Sequence, residues 1–168
     1  KKPVIKKKKK KEKREKDLIL YLPGPALSRF QQLLSWYHIS PADWPFKLDI
    51  RPLSKNSFSP GPPLSITPLP NGHLQGAEGN ESYSFLIKDA PASTCIYTAD
   101  TDSLAFMKRI TGPVTTLISE CTHITFQEIA HTGQEKMIKN IFLTHIPPHL
   151  EYESKKERIS IDGKEMTF

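Results

Sequence analysis

Three short apolar runs in this 168-residue chain each end in a side chain that can hold a metal ion or move a proton. IYTA runs into Asp100, LIS into Glu120 and IFLT into His145. A fourth run, LSITP, is followed by His73, and His123 lies just beyond Glu120. Carboxylates and imidazoles ligate divalent cations and serve as general acids and bases. Buried strands that deliver such groups at their carboxyl ends are how layered α/β folds build active sites. Residues 82–145 are therefore the expected centre of function.

The elements that must position these side chains follow from the pattern around them. Residues 18–22 form an apolar run stopped by Pro23-Gly24, the mark of a short buried strand. Leu27, Phe30, Leu33, Leu34 and Tyr37 recur at helical spacing behind Pro25, which suits a first turn. A helix is predicted over 25–38, with His38 at its end. Alternation at Trp44, Phe46 and Leu48 predicts a strand over 46–51. SKNSFSPGPP, residues 54–63, reads as a loop. Strands are predicted over 64–68, 83–87 and 94–98, the last two joined into a hairpin by DAPAS at 89–93. A helix over 104–110 would take Asp102 or Ser103 as its cap. Asp100 lies just before, at the strand end, where it can face a cleft. A strand over 114–120, a helix over 125–136 opened by a Thr125–Glu128 capping box, and a last core strand over 141–144 follow. The tail reads as a short helix over 151–158 and a hairpin over 159–168 that turns at Asp162-Gly163.

Charge is distributed unevenly. Residues 1–17 carry eleven Lys and Arg against three acids, a net +8, while the whole chain is +6. Residues 18–168 therefore sum to −2, and the basic pI belongs to the start of the chain. Such a like-charge block stays solvated. It reads as a linker, or as a nonspecific grip on phosphates through counterion release. Apolar residues make up 37% and mean hydropathy is −0.46, which leaves part of the chain outside any core. The chain begins without Met and without a signal-like apolar core, so it reads as a fragment or a processed product. No apolar run approaches the roughly 20 residues that span a bilayer, and no membrane partner is expected. Cys95 and Cys121 form no CxxC pair, which fits a reducing compartment and a cytoplasmic location.

From residue 17 onward these segments resemble the metallo-β-lactamase fold, most of all its branch of ribonuclease Z and related phosphodiesterases. IYTADT is similar to that branch's Tyr-Thr-Gly-Asp-Thr segment, and LISECTH to its Leu-Ile-x-Glu-Ala-Thr. IFLTHIPP is similar to its Leu-Thr-His strand, SITPLPNGH to its strand that ends in a ligand histidine, and ISIDGKEMTF to its closing Asp-Gly hairpin. DLILYLPGPALSRF resembles the segment that follows the first metal motif, and the order of the segments agrees.

The resemblance implies an α/β architecture, an αββα sandwich of which this chain supplies about half. That half would be a mixed sheet with helices on one face, formed by residues 17–168 behind the basic segment 1–16. It implies that His73 ligates one metal, Asp100 bridges two and His145 ligates the second, with two Zn²⁺ or Mn²⁺ ions in a complete site. His123 would donate a proton or steady the scissile phosphate, and Glu120 would orient it or a neighbouring ligand. The family's His-x-His-x-Asp-His cluster does not occur here, and Ala99 stands where the family has glycine.

Two functional expectations follow. One is a metal-dependent hydrolase of a nucleic-acid or cyclic-nucleotide phosphodiester, with this chain supplying part of a dinuclear site that a second chain or self-association completes. The other is a catalytically inactive module that binds nucleic acid or a protein partner.

Overall fold

The structure, a computed structural model, describes residues 15–74, 81–89 and 93–146. The basic block over 1–14, the turn of the expected 89–93 hairpin, and the expected helix and hairpin over 151–168 lie outside the described residues. The chain divides into two compact units, one ending at Pro52 and one beginning at Leu53.

In the first unit, strand β1 (Leu18–Pro23) pairs in a two-stranded sheet with β2 (Leu48–Leu53). The pairing is extended by Leu18 N–H donating to Lys47 O at 2.9 Å and by Lys47 N–H donating to Asp17 Oδ1 at 2.9 Å. Helix α1 (Gly24–Trp36) starts with proline in its first turn, where the missing N–H costs no bond. It stops at His38, whose φ of 53° lets Ile39 N–H reach back to Leu34 O. The expected apolar face is only partly covered: Leu27, Phe30 and Leu34 are half-buried, while Leu33 and Tyr37 are exposed. A 3₁₀ turn, Pro41–Asp43, follows the expected Ser40-Pro41 break.

The second unit is a six-stranded mixed sheet in the order β3-β4-β5-β6-β7-β8. Its strands are β3 (Phe58–Gly61), β4 (Leu64–Pro70), β5 (Tyr83–Asp89), β6 (Ser93–Tyr97), β7 (Thr116–Glu120) and β8 (Asn140–Thr144). Strand β3 falls inside the stretch expected to be a loop. Its Ser, Pro and Gly residues are tolerable because it is an edge strand, where a proline forfeits no ladder bond. Strands β3 to β6 pair antiparallel, while β6, β7 and β8 are parallel. Since β4 and β6 both run opposite to β5, the carboxyl ends of β4, β6, β7 and β8 share one edge of the sheet.

The two parallel crossovers pack on one face. The first contains a 3₁₀ segment, Ala105–Arg109, and the second helix α2 (Phe126–Glu135). The expected helix over 104–110 is thus one 3₁₀ stretch, and Ser103, one of the two expected caps, accepts from Ala105 N–H through Oγ at 3.0 Å. Helix α2 keeps half of the expected capping box: Thr125 Oγ1 accepts from Glu128 N–H at 3.2 Å. The Glu128 carboxylate turns instead to the 3₁₀ segment, accepting from Leu104 N–H at 2.8 Å. Ile96, Leu117 and Leu143 from the sheet meet Phe106, Met107 and Ile129 in one core. Gly133 allows α2 to approach β8 closely, since a Cβ there would stand 2.5 Å from Ile141 Cδ1. No helix among the described residues is long and apolar enough to cross a membrane.

Ile129 is 0% exposed at the centre of this core, so Ile129→Ala should lower stability by about 2–5 kcal/mol in urea unfolding. Met137→Ala, at an 84% exposed position, should stay within about 0.5 kcal/mol of the parent. Equal effects would mean that α2 does not hold the core.

Candidate active site

Strands stop where their ladder bonds run out, and the chain leaving them needs new partners for its backbone groups. Asn71, just past β4, supplies them. Its side-chain amide donates to Ser84 Oγ at 3.1 Å, to Thr98 O at 3.3 Å and to Asp100 O at 3.1 Å. Its Oδ1 accepts from His73 N–H at 3.3 Å and from the Ser82 hydroxyl. One carboxamide thereby ties the end of β4 to the start of β5 and to the exit from β6, and seats His73 beside Asp100's loop.

His73 is held again through its ring. Nδ1 lies 3.0 Å from Asp102 Oδ1. Of the two caps that the sequence offers, Ser103 fills that place and Asp102 is instead the partner of an imidazole. The His73 and His123 rings meet edge to face, with centroids 4.6 Å apart.

His123 rests on Glu120, which ends β7 and is 1% exposed. The Glu120 carboxylate accepts from Thr122 N–H at 2.5 Å and from His123 N–H at 3.0 Å, and its Oε1 lies 3.2 Å from His123 Nδ1. A carboxylate ringed by N–H donors accepts from the imidazole as well. That places a proton on His123 Nδ1 and leaves Nε2 to act as base, acid or ligand. The same logic at Asp102 leaves Nε2 of His73 available. Two imidazoles in contact, each gripped from behind by a carboxylate, can transfer a proton or embrace a phosphoryl oxygen.

Asp100 and His145 stand at the neighbouring strand ends. His145 Nδ1 lies 3.6 Å from Asp100 Oδ1, with both side chains at least half exposed. Thr122 Oγ1–H donates to His145 O at 2.8 Å and fixes the end of β8 to the loop after β7. Ala99 and His145 both have φ of 49°, in the left-handed region. This accounts for a glycine-like demand at position 99, which alanine meets under strain. Burial pushes the Cys95 and Cys121 thiols up, and Glu120 adds to the rise at Cys121, so neither offers a ready thiolate.

All five side chains singled out in the sequence, His73, Asp100, Glu120, His123 and His145, therefore lie along one sheet edge. Sequence reading misses Asn71 and gives Asp102 only a cap's role. An Asn-Gly pair past a strand signals a turn, and an Asp before a helical stretch signals a cap. Neither signal reports a long-range partner.

The donor types suit zinc or manganese, but their grouping does not. Among the described residues no three His, Cys, Asp or Glu side chains converge on one point. His73 is taken by Asp102 and His145 by Asp100, whereas a zinc site needs three or four ligands around one ion. The described residues do not by themselves form a complete metal site.

No protein-family profile matches the chain, and no curated protein does. Solved structures do. The metallo-β-lactamase fold protein YhfI from Bacillus subtilis aligns with a TM-score of 0.67 and 21% identity, over 89% of this chain and 62% of its own. A diphosphatase of the PhnP family aligns with a TM-score of 0.63 and 17% identity, over 89% of this chain and 58% of its own. An isothiocyanate hydrolase from Delia radicum gut bacteria aligns with a TM-score of 0.58 and 14% identity, over 90% of this chain and 69% of its own. The chain has the metallo-β-lactamase fold, and it spans less than two thirds of the YhfI and diphosphatase structures.

Two outcomes test the loop geometry. Asn71→Ala should cost about 1–3 kcal/mol, because it removes the bonds to Ser84 Oγ, Thr98 O and Asp100 O at about 0.5–1.5 kcal/mol each, and should shift the His73 ring signals in NMR spectra. Unchanged ring signals would show that the loop holds His73 without Asn71. Ala99→Gly should raise stability by about 0.5–1 kcal/mol, since removal of left-handed strain outweighs glycine's added chain entropy. A loss of stability would mean that residue 99 is unstrained.

Proposed function

We propose that this chain, with its metallo-β-lactamase fold, forms part of a hydrolase of phosphodiesters, either nucleic acid or a cyclic nucleotide. The observation that carries the reading is the meeting of His73 and His123 at one sheet edge, each backed by a carboxylate. His123, fixed by buried Glu120, is placed to give a proton to a leaving oxygen, a role worth about 10²–10⁴-fold in rate. His73, Asp100 and His145 would contribute ligands to a two-ion Zn²⁺ or Mn²⁺ site, and the remaining ligands would come from outside the described residues. A second chain or self-association is one source. The Lys-rich block over 1–14 adds a nonspecific attraction for polyphosphate backbones, in keeping with a nucleic-acid substrate.

The pairing of His73 with Asp102 and of His145 with Asp100 favours a second reading, a catalytically inactive module of the same fold that binds nucleic acid or a protein.

Elemental analysis of the purified chain separates the two, alone and after incubation with Zn²⁺ or Mn²⁺. Hydrolase chemistry predicts bound metal in fixed stoichiometry that Asp100→Ala reduces, together with loss of hydrolysis of a chromogenic phosphodiester. Full activity in Asp100→Ala would sink the role given to Asp100. Absence of stoichiometric metal in both proteins would shift the assignment to the binding module.

A further inference from the structure

A recess opens beside the histidine pair. It is a cleft of about 320 Å³ whose walls include Asn71, Gly72, Asp102, Ser103, Phe106 and Arg109. It shares Asn71 and Asp102 with the site itself, so whatever fills it lies alongside the reacting centre. Four features bear on what that is. Arg109 is exposed at the end of the 3₁₀ segment and has no hydrogen-bond or ion-pair partner among the described residues. Phe106 is 6% exposed and belongs to the core, so it gives the wall an apolar patch and no open ring face. Asp102 spends Oδ1 on His73, which leaves its second oxygen as an acceptor. The Asn71 amide is consumed by its own network, so that wall is rigid.

A bare phosphate would satisfy Arg109 alone and would share the cleft with the Asp102 carboxylate, a like charge that repels it. A flat heterocycle with N–H donors on its edge uses both Arg109 and Asp102. The exposed guanidinium can stack on its face, the apolar patch at Phe106 accepts its rim, and a carboxylate oxygen accepts from its edge. This is how proteins hold unpaired bases.

We propose that this cleft seats a nucleobase of the substrate, next to the bond on which His73 and His123 act, with Arg109 as its stacking plane. The assignment rests on the phosphodiester reading above and narrows it to nucleotide substrates. The metal ligands take no part in it, so it can be tested whether or not hydrolysis is observed.

The full chain, labelled with ¹⁵N, is titrated separately with adenosine, uridine and inorganic phosphate, and followed by NMR. Adenosine or uridine should shift the Arg109 Nε–H and the Gly72 and Ser103 amides, while inorganic phosphate should not. Arg109→Ala should weaken the nucleoside at least about fivefold, the lower end of what a base-stacking side chain contributes. Arg109→Lys should weaken it comparably, because the charge remains but the plane is lost. Phosphate moving the same signals with no nucleoside response would overturn the proposal in favour of an anion subsite. Nucleoside binding unaffected by both Arg109 variants would also overturn it. Nucleoside binding without metal or hydrolysis would leave the cleft assignment standing while the hydrolase reading fell.

Discussion

The carboxamide of Asn71 is the constraint on which the site depends. Two N–H groups on one side chain serve three acceptors, one on β5 and two on the chain leaving β6. Without such a donor, Thr98 O would keep the Ser84 hydroxyl, which donates to it at 2.6 Å, but Asp100 O would lose its tie to the end of β4. With it, three strand ends move as one piece. The same substitution of side chain for ladder recurs along the edge. Glu120 collects the N–H groups of Thr122 and His123, and Thr122 holds the carbonyl of His145.

This arrangement grades the site from rigid to loose. His123 is backed by a carboxylate that is almost fully buried and held by two amides besides the imidazole. His73 is backed by Asp102, whose side chain is 58% exposed, and gains its definition from Asn71 as much as from its partner. His145 and Asp100 are farther apart and more exposed, and an exposed pair of this kind contributes little to stability. The residues assigned to proton transfer are thus the fixed ones. Those that the family resemblance assigns to metal bridging and to the second metal are the most adjustable, which is the condition under which ligands from elsewhere could recruit them. Left-handed backbone at Ala99 and His145 flanks this adjustable pair, and strain held at such positions commonly marks function.

Much of the architecture was legible in the chain itself. The β-rich runs at 64–68, 83–87, 94–98 and 141–144 became strands within a few residues of their expected ends, because apolar alternation between turn signals is a local property. Strand β3 was not legible, since SKNSFSPGPP carries loop composition and becomes a strand only because β4 offers it an edge. The 3₁₀ segment at Ala105–Arg109 was read as an ordinary helix. Its start is held by Ser103 Oγ, a local cap, and also by Glu128 from α2, which takes Leu104 N–H and which no local pattern announces. At the site, the five chemically competent residues stood out by type and by position after apolar runs. Their mutual geometry did not.

The sequence by itself determined which residues could do chemistry and that each would stand at the end of a strand. Residue type and short-range periodicity carry that information. Only the tertiary structure decided which strand ends meet, because that depends on the direction in which β4, β6, β7 and β8 run and on bonds across 13 to 29 positions of chain from Asn71. It also turned Asp102 from a cap into the partner of His73, and it left His73, Asp100 and His145 in pairs that no single ion joins. Contacts of that range are set by packing of the whole sheet edge, and no local pattern encodes them.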